Sequence, residues 1–284
     1  MYLTHIEIMI TKNMKKILTL ALASTMFFSA NAQDAADKKV MAGLTFGGAL
    51  NFNKPQTNTI DANVGGDFVA GMALDWNFSN NIGLATGLEF DFNRFRTTYN
   101  KDIFFDYRDK NVIQAKDEPN NAETSFMLNE RKHKSIYLTI PVMLKFQTNF
   151  MGYMRYYGKF GVRNSFLLTT RTNNEGQGFN ELGAIDKEIT QLDDMISPGV
   201  MSFYKGSIGL SGGAEYNITG STVLVAELGF YYGFSEVFQQ EGALFGDDDK
   251  SLSLFQREED GTRGAYYSPS LKQSQLLLKV AVLF

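Results

Sequence analysis

The sequence predicts an all-β protein, an eight-stranded antiparallel transmembrane β-barrel with short periplasmic turns and long extracellular loops. Three observations carry that expectation. Apolar residues alternate with small or polar ones at period 2 in eight separate segments, the pattern of strands with one apolar face. The connections between those segments are alternately tight and long, as they are when every hairpin returns through a membrane. Finally, an export signal opens the chain, yet no later segment is apolar enough for a spanning helix.

Composition agrees. Cysteine is absent, which excludes disulfides and thiolate metal sites. Gly (26), Phe (24) and Tyr (13) are plentiful and Pro is scarce (5), a mixture that suits strands in close backbone contact.

Residues 1–13 fit no export signal and read as a misassigned upstream start. Residues 14–32 read as a signal peptide: Lys15 and Lys16, an apolar run from Ile17 to Phe28, then small residues with cleavage between Ala32 and Gln33. A short periplasmic N-terminus (33–38) and the barrel domain (39–284) follow. Cleavage removes Lys12, Lys15, Lys16 and Glu7 from a chain of formal net charge −4, leaving −6. A chain so acidic excludes nucleic acid as a partner.

The strands follow in order. Val40–Phe52 sets Val40, Leu44, Phe46, Leu50 and Phe52 against Met41, Thr45 and Asn51. Asp67–Phe78 and Ile82–Asn93 flank a tight turn at Ser79–Asn81. Ile136–Gln147, Arg155–Leu168, Tyr204–Ile218 and Thr222–Phe234 alternate likewise. The last segment, Gln275–Phe284, places Leu276, Leu278, Val280, Val282 and Phe284 on one face. Its ending resembles the signal read by the barrel assembly machinery, so Leu278, Val280, Val282 and Phe284 are the expected assembly signal. Segments 53–66, 95–134, 169–203 and 235–270 are expected as long loops. Trp76, Phe78, Phe146, Tyr216 and Phe284 should ring the periplasmic rim, with Phe52, Phe90, Phe92, Phe230 and Tyr232 at the outer one.

Strand parity sends charges inward. Lys39, Lys145, Lys159, Arg163, Lys205 and Lys279 should share the lumen with Asp67, Asp75, Glu89, Asp91, Glu215 and Glu227. Such charges are tolerated only when paired, and eight strands leave a bore that side chains can fill. A salt-bridged plug is therefore expected over an ion path. Pro141 lacks a ladder donor, which predicts a bulge.

Little points to chemistry. His133, the mature chain's sole histidine, should be a solvated loop residue beside Ser135, so no catalytic, cofactor or metal site is expected. Leu182, Ile185, Ile189, Leu192 and Met195 recur at helical spacing, predicting an amphipathic helix over 181–196 that covers the mouth or docks a partner. "GDDDK" (246–250) lacks the alternating acids of a calcium loop and reads as a solvated turn.

Tyr137, Ile140, Pro141, Leu144, Lys145 and Phe146, in "YLTIPVMLKF", resemble the signature strand of the PorT-like outer-membrane β-barrel family of Bacteroidetes. "SGGAEYNI" (211–218) and "FYYGFSEV" (230–237) are similar to that family's sixth and seventh strands. The resemblance spans about 39–284. It implies a surface barrel of a Gram-negative outer membrane, either an orphan or an accessory of type IX secretion and gliding machinery.

The expected function is therefore non-enzymatic: a monomeric barrel with a structural or partner-binding role at the cell surface. Its partners would be outer-membrane lipid and lipopolysaccharide, the assembly machinery, and a secretion or surface protein met by the loops. The alternatives are a small lipid-modifying barrel enzyme or a narrow transporter for a small solute.

Overall fold

The computed structural model describes residues 38–108, 112–114, 125–179, 185–197, 200–240, 253–258 and 262–284. The signal region with Ala32 and Gln33, and the acidic turn 246–250, lie outside them.

Alternation becomes strand wherever it was read. The elements are β1 (Val40–Pro55), β2 (Ile60–Ala62), β3 (Gly65–Asn77), β4 (Ile82–Arg108), β5 (Val112–Ile113), β6 (Ser125–Gln147), β7 (Met154–Phe179), β8 (Ile185–Ile196), β9 (Tyr204–Asn217), β10 (Val223–Gly233), β11 (Leu254–Arg257), β12 (Arg263–Tyr267) and β13 (Leu271–Leu283). All belong to one sheet. Antiparallel pairing runs β1–β3–β4–β6–β7–β9–β10–β13 and returns to β1. A ring of this kind leaves no open edge along its circuit.

The seam of the ring is β1 on β13, in register from Gly43↔Leu283 to Pro55↔Leu271. Beyond it, Ala42 and Phe284 exchange backbone hydrogen bonds of 3.2 and 2.9 Å. The alternation of QLLLKVAVLF thus resolves into Leu277, Ala281 and Leu283 inside and Leu278, Val280 and Val282 outside. Two tight turns rest on glycine: Gly152 and Gly220 have φ of 65° and 73°, a region that L side chains rarely occupy.

Thirteen strands stand among the described residues where eight segments alternated. The surplus comes from stretches read as loops. β4 and β6 continue far past the alternating segments and pair out to Asp106↔Ser125, and β7 pairs with β8. These hairpins rise from one end of the ring; the tight turns lie at the other. Residues 181–184 of the expected helix lie outside the described residues, and no helix forms over the rest. Ile185–Ile196 is β8, whose backbone pairs with β7 at Thr190↔Gly176 and Gln191↔Glu175. A neighbouring strand that supplies ladder partners outweighs a helical apolar period when β-branched Ile185, Ile189, Thr190 and Ile196 are present.

Pro141 makes no bulge. The β4–β6 ladder stops at Thr86↔Val142 and resumes in the same register at Glu89↔Thr139. Thr86 Oγ1 donates to the Pro141 carbonyl at 2.7 Å, so the ladder is interrupted but the register does not slip.

Outward faces are apolar around the ring: Phe46, Phe68, Trp76, Leu88, Leu144, Phe160, Leu210, Leu228 and Leu278 are all exposed. Trp76 points outward, as strand parity requires. At the hairpin end, a second core gathers Ile60, Phe95, Ile103, Phe105, Phe126, Leu128, Met195, Met201, Phe238 and Leu271. It lies across the mouth of the ring, where segment 200–203 meets Val237–Gln239 through backbone hydrogen bonds.

Candidate functional site: the charged lumen

Inward positions of neighbouring strands bring the charges together, and they form two chains of ion pairs. Nearest the tight turns, Lys145 Nζ lies 2.5 Å from Asp75 Oδ2 and also pairs with Glu215. Glu215 pairs in turn with Arg155. The second chain begins at Lys159, 2.8 Å from Glu227 Oε2. Lys279 joins Glu227 (3.6 Å) to Glu89 (2.9 Å). Arg163 then joins Glu89 (2.9 Å) to Asp91 (3.1 Å). Nearly all of these side chains are buried, and burial makes each charge dependent on its partners.

Aromatic rings link the chains. Lys145 and Lys159 lie 4.9 and 4.8 Å from the centre of the Tyr157 ring, on whose face cations are attracted. The Tyr157 hydroxyl donates to Glu227 at 2.9 Å. Arg163 lies over Tyr231 and Lys205 over Tyr137. Thr139 donates to Asp91 at 2.9 Å.

Towards the mouth the filling becomes polar but mostly uncharged. Asp67 accepts from Asn51 (2.6 Å) and Gln275 (2.7 Å). Lys205 donates to Gln273 at 3.0 Å, and Gln273 also bonds Asn93 and Asn53. The lumen retains a cavity of about 30 Å³ beside Asp75, Lys159, Glu227 and Lys279, on the order of one water molecule.

Of the charges that parity assigned to the lumen, Asp75, Glu89, Asp91, Lys145, Lys159, Arg163, Glu215, Glu227 and Lys279 lie in the two chains of ion pairs. Lys39 stands apart: it is exposed before β1, and Lys38 is buried instead, donating to the Ser221 carbonyl at 3.5 Å. Arg155, Tyr157 and Gln275 were missed as members. Stepping back from Lys159 in twos would have found the first two, while Gln275 carries no charge to draw attention.

His133 is not solvated. It is 1% exposed, bonded through Nε2 to Thr97 Oγ1 at 3.0 Å and stacked on Phe95 with ring centres 4.6 Å apart. It belongs to the hairpin head above the outward apolar faces, and burial pushes its imidazole well below its ordinary value. Among the described residues, no group of three or more His, Cys, Asp or Glu is arranged to hold a metal ion.

A closed antiparallel ring with apolar outer faces and a charged interior has its counterpart in sequence families. A model of the outer membrane protein beta-barrel domain matches residues 31–239. The chain belongs to that family. Family membership places the barrel in the outer membrane. Solved structures similar to it include Ail, the attachment invasion locus protein of Yersinia pestis, at 12% identity over 87% of this chain and 100% of that one, TM-score 0.32. OprG from Pseudomonas aeruginosa shares 11% over 88% and 96%, TM-score 0.39. The protease OmpT from Escherichia coli shares 8% over 90% and 99%, TM-score 0.34. Scores of this size carry no argument about function. No curated protein matches the chain.

Proposed function

We propose that β1, β3, β4, β6, β7, β9, β10 and β13 are the eight membrane-spanning staves of a barrel that conducts nothing. In this reading its tight turns face the periplasm and its hairpins stand outside the cell. The barrel is a non-enzymatic scaffold that presents those hairpins to a partner. The two chains of ion pairs, Asp75 to Arg155 and Lys159 to Asp91, carry the reading. Charges bound to one another across a narrow bore fix the staves and leave no aqueous path. The core over the mouth supports the same view. The resemblance of the Tyr137–Phe146 strand to PorT-like barrels makes a secretion or gliding assembly of a Gram-negative surface the partner class to test first.

Planar bilayers test the plug. Purified barrel should give no steady conductance. Reproducible single-channel steps, abolished by substitutions at Glu227 or Arg163, would replace the scaffold with a transporter.

A further inference from the structure

The outward column of β4 runs Ile82, Leu84, Thr86, Leu88, Phe90, Phe92 and then changes character at Arg94 and Arg96. At ~3.3 Å per residue and a tilt of about 40°, Ile82 to Phe92 climbs roughly 25 Å, the height of a barrel's apolar band. On β6 the same boundary falls between Ile136 and Lys134. The ladder sets Phe92↔Ile136 as the last apolar pair, and the next two outward pairs are Arg94↔Lys134 and Arg96↔Lys132. All four cations are exposed.

Four cations in two directly opposed pairs oppose folding, since like charges across a ladder repel. One anion offsets part of this: Glu130 lies 3.2 Å from Arg96 and 3.6 Å from Lys132. Arg94 and Lys134, the pair nearest the apolar band, have no acidic partner among the described residues. Across the seam, Lys54 stands opposite Lys272, one outward step beyond Phe52↔Ser274. Like-charge pairs thus recur where the apolar face ends at the hairpin end of the barrel.

We propose that the Arg94, Arg96, Lys132 and Lys134 block binds the phosphates of phosphorylated glycolipid in the outer leaflet. The inference rests on the orientation proposed above, with the hairpins outside. A guanidinium presents a fork of donors to a phosphate, and an ammonium adds a compact charge beside it. The acyl chains of the same lipid cover Phe90, Phe92, Ile136 and Leu138 directly below. The partner is therefore an amphiphile whose charge sits one residue pair above its apolar part.

The test uses the full barrel refolded in zwitterionic micelles, with unfolding followed by circular dichroism. The probes are bisphosphorylated lipid A, the same lipid stripped of both phosphates, and inorganic phosphate alone. The phosphorylated lipid should raise the midpoint by a few degrees, and the other two should leave it unchanged. Arg94→Gln with Lys134→Gln should lose most of that rise, yet unfold no earlier than wild type without lipid, because a repulsion has been removed. A rise that survives in the double variant, or that the stripped lipid matches, overturns the proposal. So does the absence of any rise. An equal rise from inorganic phosphate assigns the block to a free anion and overturns the lipid. Orientation is read separately by labelling an Asn100→Cys chain on intact cells with an impermeant maleimide. No labelling defeats the orientation; labelling with a failed lipid assay defeats this proposal alone.

Discussion

Glu227 and Lys279 stand directly opposite each other in the β10–β13 ladder, yet the cation nearest Glu227 is Lys159, at 2.8 Å against 3.6 Å. The facing pair is one link in a longer chain. Glu227→Ala therefore strips two buried ammonium groups of a partner, although Lys279 keeps Glu89 at 2.9 Å. The expected loss is about 3–5 kcal/mol of unfolding free energy, measured by urea titration in micelles. Exchanging the charges of Glu227 and Lys279 should recover only part of it, because Lys159 would then face a new lysine. Full recovery would show that the facing pair acts alone.

How much of this was legible beforehand depends on which force decides each element. Alternation in β1, β3, β4 and β13 is imposed by a two-sided environment, so Leu278 and Lys279 reveal opposite faces without any knowledge of their neighbours. Cross-strand partnership does not follow from parity: Arg155 stands opposite Glu215 in the β7–β9 ladder, whereas Arg163 reaches Glu89 and Asp91 past the intervening β6, and single strands encode neither relation. β8 misled because Ile185, Ile189 and Leu192 fit a helical stripe, while the decisive term was the free edge of β7, a tertiary fact. His133 misled for a related reason. Its flanking Lys132 and Lys134 look solvated and are, but the intervening inward position is covered by Phe95 and Phe238, which come from distant segments.

Arg131 gives a prediction of the opposite sign. It is fully buried in the hairpin head, with Nε on Asn174 and its guanidinium 4.9 Å from the centre of the Phe105 ring, while Nη1 and Nη2 have no hydrogen-bond partner among the described residues. Replacing a poorly compensated buried charge by an apolar side chain of similar length is often neutral or stabilising by about 1–4 kcal/mol. Arg131→Met should leave the urea midpoint unchanged or raise it. A clear drop would reveal an anion or ordered water satisfying those nitrogens.

β8 separates strand from helix by accessibility. Ile189 is 63% exposed and Met195 fully buried, though a helical stripe would bury both. In this cysteine-free chain, Ile189→Cys should react with a maleimide at the rate of a free thiol. Met195→Cys should be protected until the head unfolds. Comparable rates at both positions would contradict the strand.

Tyr157 should show two separable contributions. Tyr157→Phe keeps the ring under Lys145 and Lys159 but removes the hydroxyl that donates to Glu227 at 2.9 Å. A hydrogen bond to a charged acceptor is worth about 1.5–3 kcal/mol, and Glu227 keeps Lys159, so the loss should fall near the low end. Tyr157→Ala removes the ring as well. It empties the space between the two ion-pair chains and exposes both ammonium groups to each other, and aromatic truncation in a packed interior costs about 3–5 kcal/mol. Unfolding free energies of the two variants should therefore differ by at least the packing contribution, with alanine the more damaging. Equal losses would mean that the hydroxyl alone ties the chains together and that the ring is a spectator.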